Sequence, residues 1–213
     1  MSDEQDNSRA GGSGSKKIIM VAAVAVVIVL VAAVFLIGQG GEGNQPKGLV
    51  TGAADMSVML GPDGMGQEWD LNYNSTYNFN GTGTAYRLQG LISAGHVLLY
   101  KIDDQGTQLY LLKMEMGIFN SMENATDGYE NTSAKMAKAL GGQGATSKNV
   151  TVGDGGVLFA VKNYVSQDDR TSYVLLFRER NVICTMEYSP LAEGMAVTEQ
   201  DVLDAAKKQI DKL

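Results

Sequence analysis

Two patterns of apolar and polar positions dominate the chain. From Ile18 to Ile37 twenty residues pass without a polar side chain: fourteen are Val, Ile, Leu or Phe, five are Ala and one is Met. As a helix rising 1.5 Å per residue, that run is about 30 Å long, the thickness of a bilayer's hydrocarbon core. A cleaved signal peptide has a shorter apolar core, about 7–15 residues. Gly38 and Gly40 offer a cleavage site, but the length favours a retained transmembrane helix. The second pattern is strict alternation from Trp69 to Asn80. Trp69, Leu71, Tyr73, Ser75, Tyr77 and Phe79 share one face, and Asp70, Asn72, Asn74, Thr76, Asn78 and Asn80 the other. A period of two over this length predicts a half-buried strand or hairpin with the aromatic face inside.

The same reasoning gives the remaining elements. AYRLQGLI and HVLLYKI read as short strands. The stretch DDQG at 103–106 reads as a hairpin turn, and QLYLLKMEMGIF as the returning strand. Asn120, with Glu123 three residues on, predicts a helix start, and Met122, Ala125, Tyr129, Met136 and Leu140 form its apolar stripe. Gly141 and Gly142 stop it. VLFAVKN, SYVLLFRER and VICTMEYS are strands joined by turns at SQDDRT and Arg180-Asn181. Thr198 and Asp201 then cap a last helix with a stripe of Val202, Ala206, Ile210 and Leu213. Strands joined by tight turns pair antiparallel. The expected fold class is α+β: an N-terminal transmembrane helix, then a mainly antiparallel sheet with two helices packed on one face.

Residues 108–213 carry a wider pattern. GDGG–VLFAVKN, then SYVLLFRERNVICTMEYS, then an amphipathic C-terminal helix, together with IFNSMENATDGYE, resemble prokaryotic membrane-anchored or lipidated extracytoplasmic domains of Mog1/PsbP-like fold. That resemblance implies a sensor or scaffold domain outside the membrane. The chain departs from the disulfide-bearing sensors of that kind, since Cys184 is its one cysteine. The expected organisation is a disordered cytoplasmic tail at 1–17, a transmembrane helix at 18–37, a Gly-rich flexible linker at 38–54 and an extracytoplasmic α+β domain at 55–213.

Charge supplies orientation. Lys16 and Lys17 abut the apolar run, while the first cation beyond it is Lys47, so the positive-inside rule puts the N-terminus in the cytoplasm and the bulk of the chain outside. Residues 1–17 balance three cations against three acids, which leaves the formal net charge of −7 on the outer part. An acidic domain argues against nucleic acid as a partner. A type IV pilin is disfavoured because the apolar run lacks Glu. A lipoprotein is excluded because lipid attachment needs a Cys just after the run, and the one Cys is Cys184.

Candidate chemistry is sparse. His96 follows Gly95 and reads as a solvated turn residue. Cys184 alternates with Val182, Met186 and Tyr188 and reads as core. Glu115 and Glu187 fall on the polar sides of their strands, with nothing in the sequence to pair them. No cofactor, metal or catalytic residue is expected. Five N-x-S/T sequons stand at Asn74, Asn80, Asn124, Asn131 and Asn149, where chance placement of 12 Asn among 25 Ser or Thr would give about one. They are candidate glycosylation sites on a surface protein. The leading expectation is therefore a single-pass membrane protein whose outer domain binds a protein or an envelope polymer without catalysis, its other partner being the lipid bilayer through residues 18–37. One alternative is a cell-envelope enzyme using acidic residues, which requires two or more acids brought together with raised pKa values. The other is copper handling through the close-set Met56, Met59, Met65, Met114 and Met116.

Overall fold

Seven antiparallel strands lie in one sheet of order β1-β2-β3-β7-β6-β5-β4 in the computed structural model, which describes residues 48–79, 88–162 and 169–213. The elements are α1 (Pro62–Met65), β1 (Trp69–Asn78), β2 (Leu91–Ile102), β3 (Gln108–Phe119), α2 (Met122–Gly141), β4 (Thr146–Val150), β5 (Gly155–Lys162), β6 (Thr171–Glu179), β7 (Val182–Pro190) and α3 (Glu199–Asp211). Among these residues no helix is long and apolar enough to cross a membrane. The apolar run at 18–37 and the sequon at Asn80 lie outside them.

The order records the path. Strands β1 to β3 form a meander. Helix α2 then carries the chain across the sheet to its far edge, and β4 to β7 return as a second meander that closes on β3 at the centre. The two long helices do not share a face as the sequence pattern suggested. Met114, Leu175, Cys184 and Met186 pack with Val202, Ala205 and Ala206 of α3 in one core. Phe159, Val174, Leu176 and Ile183 pack with Ala125, Met136 and Leu140 of α2 in the other. Neighbouring residues of a strand point to opposite faces, so Ile183 and Cys184 assign the helices to opposite sides. Strands β5 to β7 are buried on both faces, and each fully buried large apolar side chain there contributes about 1.5–3 kcal/mol.

Local chemistry explains the ends. Ser121, not Asn120, caps α2 by accepting the Asn124 N–H, and Asn120 instead accepts from the Asn124 side chain. Thr198 and Asp201 form the expected reciprocal capping box of α3. In the β2–β3 turn, Asp103 Oδ1 accepts from the Gln105 and Thr107 N–H groups, and Gly106 takes a φ of 81°.

Two strands depart from expectation for stateable reasons. The strands expected on either side of Gly95 are one: Leu91–Ile102 is a strand of 12 residues, 88–90 precede it outside any strand, and 85–87 of the first expected strand lie outside the described residues. Gly95 is there because segment 50–65 crosses it. A Cβ at that position would lie 2.0 Å from the Ala54 carbonyl oxygen and 2.4 Å from Met59 Sδ. In β1 the alternation is interrupted. Leu71 pairs with Leu99 and Tyr73 with Leu98, so Asn72 is an extra residue, a β-bulge that turns the rest of the strand over. Asn74, Thr76 and Asn78 then face the α3 side, where Thr76 Oγ1 donates to Ala54 O and Ser93 Oγ to Asn78 Oδ1. Trp69 is buried as predicted, but Leu71, Tyr73 and Tyr77 are exposed.

The folded unit also takes in residues that read as linker. Val50 and Ala54 are in the core. Val50 is held at the β6–β7 turn by Asn181, whose Oδ1 accepts the Val50 N–H at 2.7 Å and whose Nδ2 donates to Val50 O and Phe119 O.

Candidate functional site

On the α2 side of the sheet, beyond the helix, strand registration lines up ionisable groups. Ser75, His96, Glu115 and Thr185 form one row across β1, β2, β3 and β7. Tyr73, Leu98, Lys113 and Glu187 form the next. Each row needs strands distant in sequence, and β3 meets β7 only after the second meander has returned. Lys113 and Glu115 are two apart on β3 and so share a face.

The groups are largely withdrawn from water: Lys113 and Glu187 are each 6% exposed. Lys113 Nζ lies 2.9 Å from Glu115 Oε1, an ion pair without hydrogen-bond alignment. Glu187 stands directly opposite Lys113 and accepts a hydrogen bond from Ser189 Oγ at 3.3 Å. Burial pushes the Glu187 carboxyl up to about 7, against the downward pull of the Lys113 charge and the Ser189 hydroxyl and with some help from the Glu115 charge. His96 is half-buried in mid-strand rather than solvated in a turn. Its ring meets Tyr73 edge-on, centroids 5.4 Å apart. Burial holds its pKa below the usual imidazole value; Glu115 opposes this and Lys113 reinforces it.

Three buried atoms here lack a hydrogen-bond partner: His96 Nε2, Lys113 Nζ and Glu115 Oε2. Native folds leave few such atoms, and each calls for water, an ion or a ligand. Together they offer a donor, an acceptor and a nitrogen able to serve as either. The arrangement can therefore hold a polar group by complementary hydrogen bonds. It also contains a carboxyl near neutral pKa, suited to proton transfer.

The other predicted positions are scattered. Asn74, Asn131 and Asn149 are exposed; Asn149 stands in β4, beside a cleft of about 580 Å³ also lined by Tyr129, Glu130 and Ser133. Asn124 is half-buried, its Nδ2 donating to Asn120 at 2.7 Å. Met59, Met114 and Met116 are at most 3% exposed in the α3-side core, with Met56 and Met65 packed against them. Among the described residues no three His, Cys, Asp or Glu side chains gather to hold a metal. Cys184 is fully buried, and burial raises its thiol pKa far above the usual range.

No protein-family model matches the chain, and no curated protein matches it either. Among solved structures it is similar to the extracellular domain of PknH from Mycobacterium tuberculosis. The TM-score is 0.47 at 11% sequence identity, over 73% of this chain and 92% of that one. The likeness carries neither ligand nor activity across.

Proposed function

We propose that this is a single-pass, membrane-anchored surface protein whose outer α+β domain of Mog1/PsbP-like type binds an envelope component without catalysing its conversion. The convergence of His96 Nε2, Lys113 Nζ and Glu115 Oε2, all buried and without a hydrogen-bond partner, carries the binding half of this reading. The apolar run at 18–37 with Lys16 and Lys17 before it carries the anchor and its orientation. Intact mass of the protein from its native membranes tests the anchor. The full-chain mass is expected, with hexose-sized increments where Asn131 or Asn149 is glycosylated. A deficit of about four kilodaltons, the first forty residues, would mean that the run is cleaved and the domain released.

Glu187 favours a second reading, an envelope enzyme using acidic residues, because its raised pKa and the nearby Glu115 meet part of that requirement. One experiment separates the two. The purified full chain is mixed with insoluble cell-envelope polymer and sedimented. Binding without catalysis predicts that the chain co-sediments, that Glu115→Gln weakens this by roughly tenfold, a change worth about 1.4 kcal/mol, and that no soluble fragments appear. Release of fragments, abolished by Glu187→Gln, would establish the enzyme instead. A chain that stays in the supernatant would exclude the polymer as ligand.

A further inference from the structure

The two edges of the sheet differ. β4 is five residues long with Lys148 at its centre. Short, lysine-bearing edges resist pairing with another chain. β1 at the opposite edge is ten residues long and from Leu71 to Asn78 carries no charge, Pro or Gly. No described strand pairs with its outer side. The Phe79 N–H donates to Ile92 O at 2.8 Å. Antiparallel alternation from that bond turns the N–H and C=O groups of Asn74, Thr76 and Asn78 outward. Tyr73 and Tyr77, 47% and 56% exposed, flank Ser75 on one face.

We infer that β1 pairs antiparallel with β1 of a second copy of this chain about a two-fold axis through Ser75, joining two seven-stranded sheets into one. The strand's own symmetry about Ser75 selects a second copy over an unrelated strand. Tyr73 falls opposite the second copy's Tyr77, and Tyr77 opposite its Tyr73, an aromatic pair on each side of the axis. Asn74 and Thr76 both turn outward, so they meet as a hydrogen-bonded pair. Ser75 then meets Ser75 as a non-hydrogen-bonded pair with Cα atoms about 4.5 Å apart. Charge agrees. The formal net charge of −7 opposes self-association elsewhere, whereas here the two Asp70 residues end roughly 34 Å apart at 3.4 Å per residue. The axis is normal to the sheet, so both copies present Gly48 at one height, which suits two chains anchored in one bilayer. The pairing itself does not depend on the anchor.

The test is disulfide cross-linking of the full chain in native membranes. Cys184 is fully buried and does not compete. Ser75→Cys is expected to give a species of twice the chain mass on mild oxidation. Asn74→Cys and Thr76→Cys should each cross-link at least about fivefold less alone, because like positions then lie beyond the 7 Å limit for a disulfide, and strongly when co-expressed. Ser75→Lys sets two ammonium groups face to face and should return the chain to monomer by native mass spectrometry. Absence of the doubled species overturns the inference. So does an adduct of another mass, which would mean a strand from a different protein. So does equal cross-linking by Asn131→Cys on α2, which would mean random collision, or a dimer that survives Ser75→Lys.

Discussion

Asn181→Ala is expected to cost about 3–5 kcal/mol of stability, roughly 10 °C in melting temperature for a chain of this size. Asn181 is wholly buried and makes three hydrogen bonds to main-chain groups: from Val50 N–H at 2.7 Å, to Val50 O at 2.9 Å and to Phe119 O at 2.6 Å. Truncation leaves three backbone groups in a dry interior, and each orphan costs about 1–3 kcal/mol. The loss should also be local in kind. Val50 opens segment 50–65, which shields the α3-side core over Gly95 and is tied at its other end by Gln209, bonded to Leu60 N–H and Val58 O. Hydrogen exchange at the Val50 amide should therefore accelerate well before global unfolding. Urea titration supplies the magnitude. A loss below about 1 kcal/mol would mean that water enters and satisfies the three groups.

That residue also marks where sequence reasoning stops. Periodicity finds β3, β5, β6, β7 and both long helices because their apolar positions answer to local repeats of 2 and 3.6. It misses residues 48–54, read as linker, because they carry no repeat: Val50 is held there by a single side chain, Asn181, from the far end of the chain. The alternation in β1 reads correctly as a strand and wrongly as an inward aromatic face. A one-residue bulge at Asn72 exchanges the faces, and a bulge leaves no mark in an alternating run of Asn and Tyr. Gly95 reads as a turn, whereas it marks a close crossing of backbone. Opposite placement of α2 and α3 is equally hidden. Both stripes are apolar, and only the strand order says which side each reaches.

The site is less legible than the fold. Glu115 and Glu187 are visible as polar-side carboxylates, and Lys113 stands two residues from Glu115 on the same strand, but the tie of Glu187 to Lys113 exists only once β3 pairs with β7. Burial compounds this. A Lys or Glu in a strand reads as solvated, and only the finished sheet sets Lys113 and Glu187 at 6% exposure. His96 reads as solvated for the same reason that Gly95 reads as a turn.

Lys113→Met should prove the most pH-sensitive substitution in the domain. The Glu187 carboxyl is raised in the folded state from 4.5 to about 7, chiefly by burial. The folded state therefore favours the protonated acid. The contribution is complete below about pH 4.5 and is lost as pH rises to about 7, on the order of 3 kcal/mol at about 1.4 kcal/mol per unit. His96 runs the other way: its folded pKa is lowered, so its contribution is lost as pH falls below 6.5. Glu187→Gln isolates the carboxyl, flattening the decline between pH 4.5 and 7 and leaving a domain more stable than the parent above it. Removing the cation instead leaves Glu115 and an ionising Glu187 without it in a buried setting, a loss of about 3–5 kcal/mol at pH 8. The loss should shrink at pH 5, where Glu187 keeps its proton. Lys113→Met with Glu187→Gln should recover much of it at pH 8, with a coupling above about 1 kcal/mol in urea titrations. Additive losses would show that Lys113 serves Glu115 alone. Glu187 would then be a carboxyl set apart from the ion pair, and the second reading of the site would gain at the expense of the first.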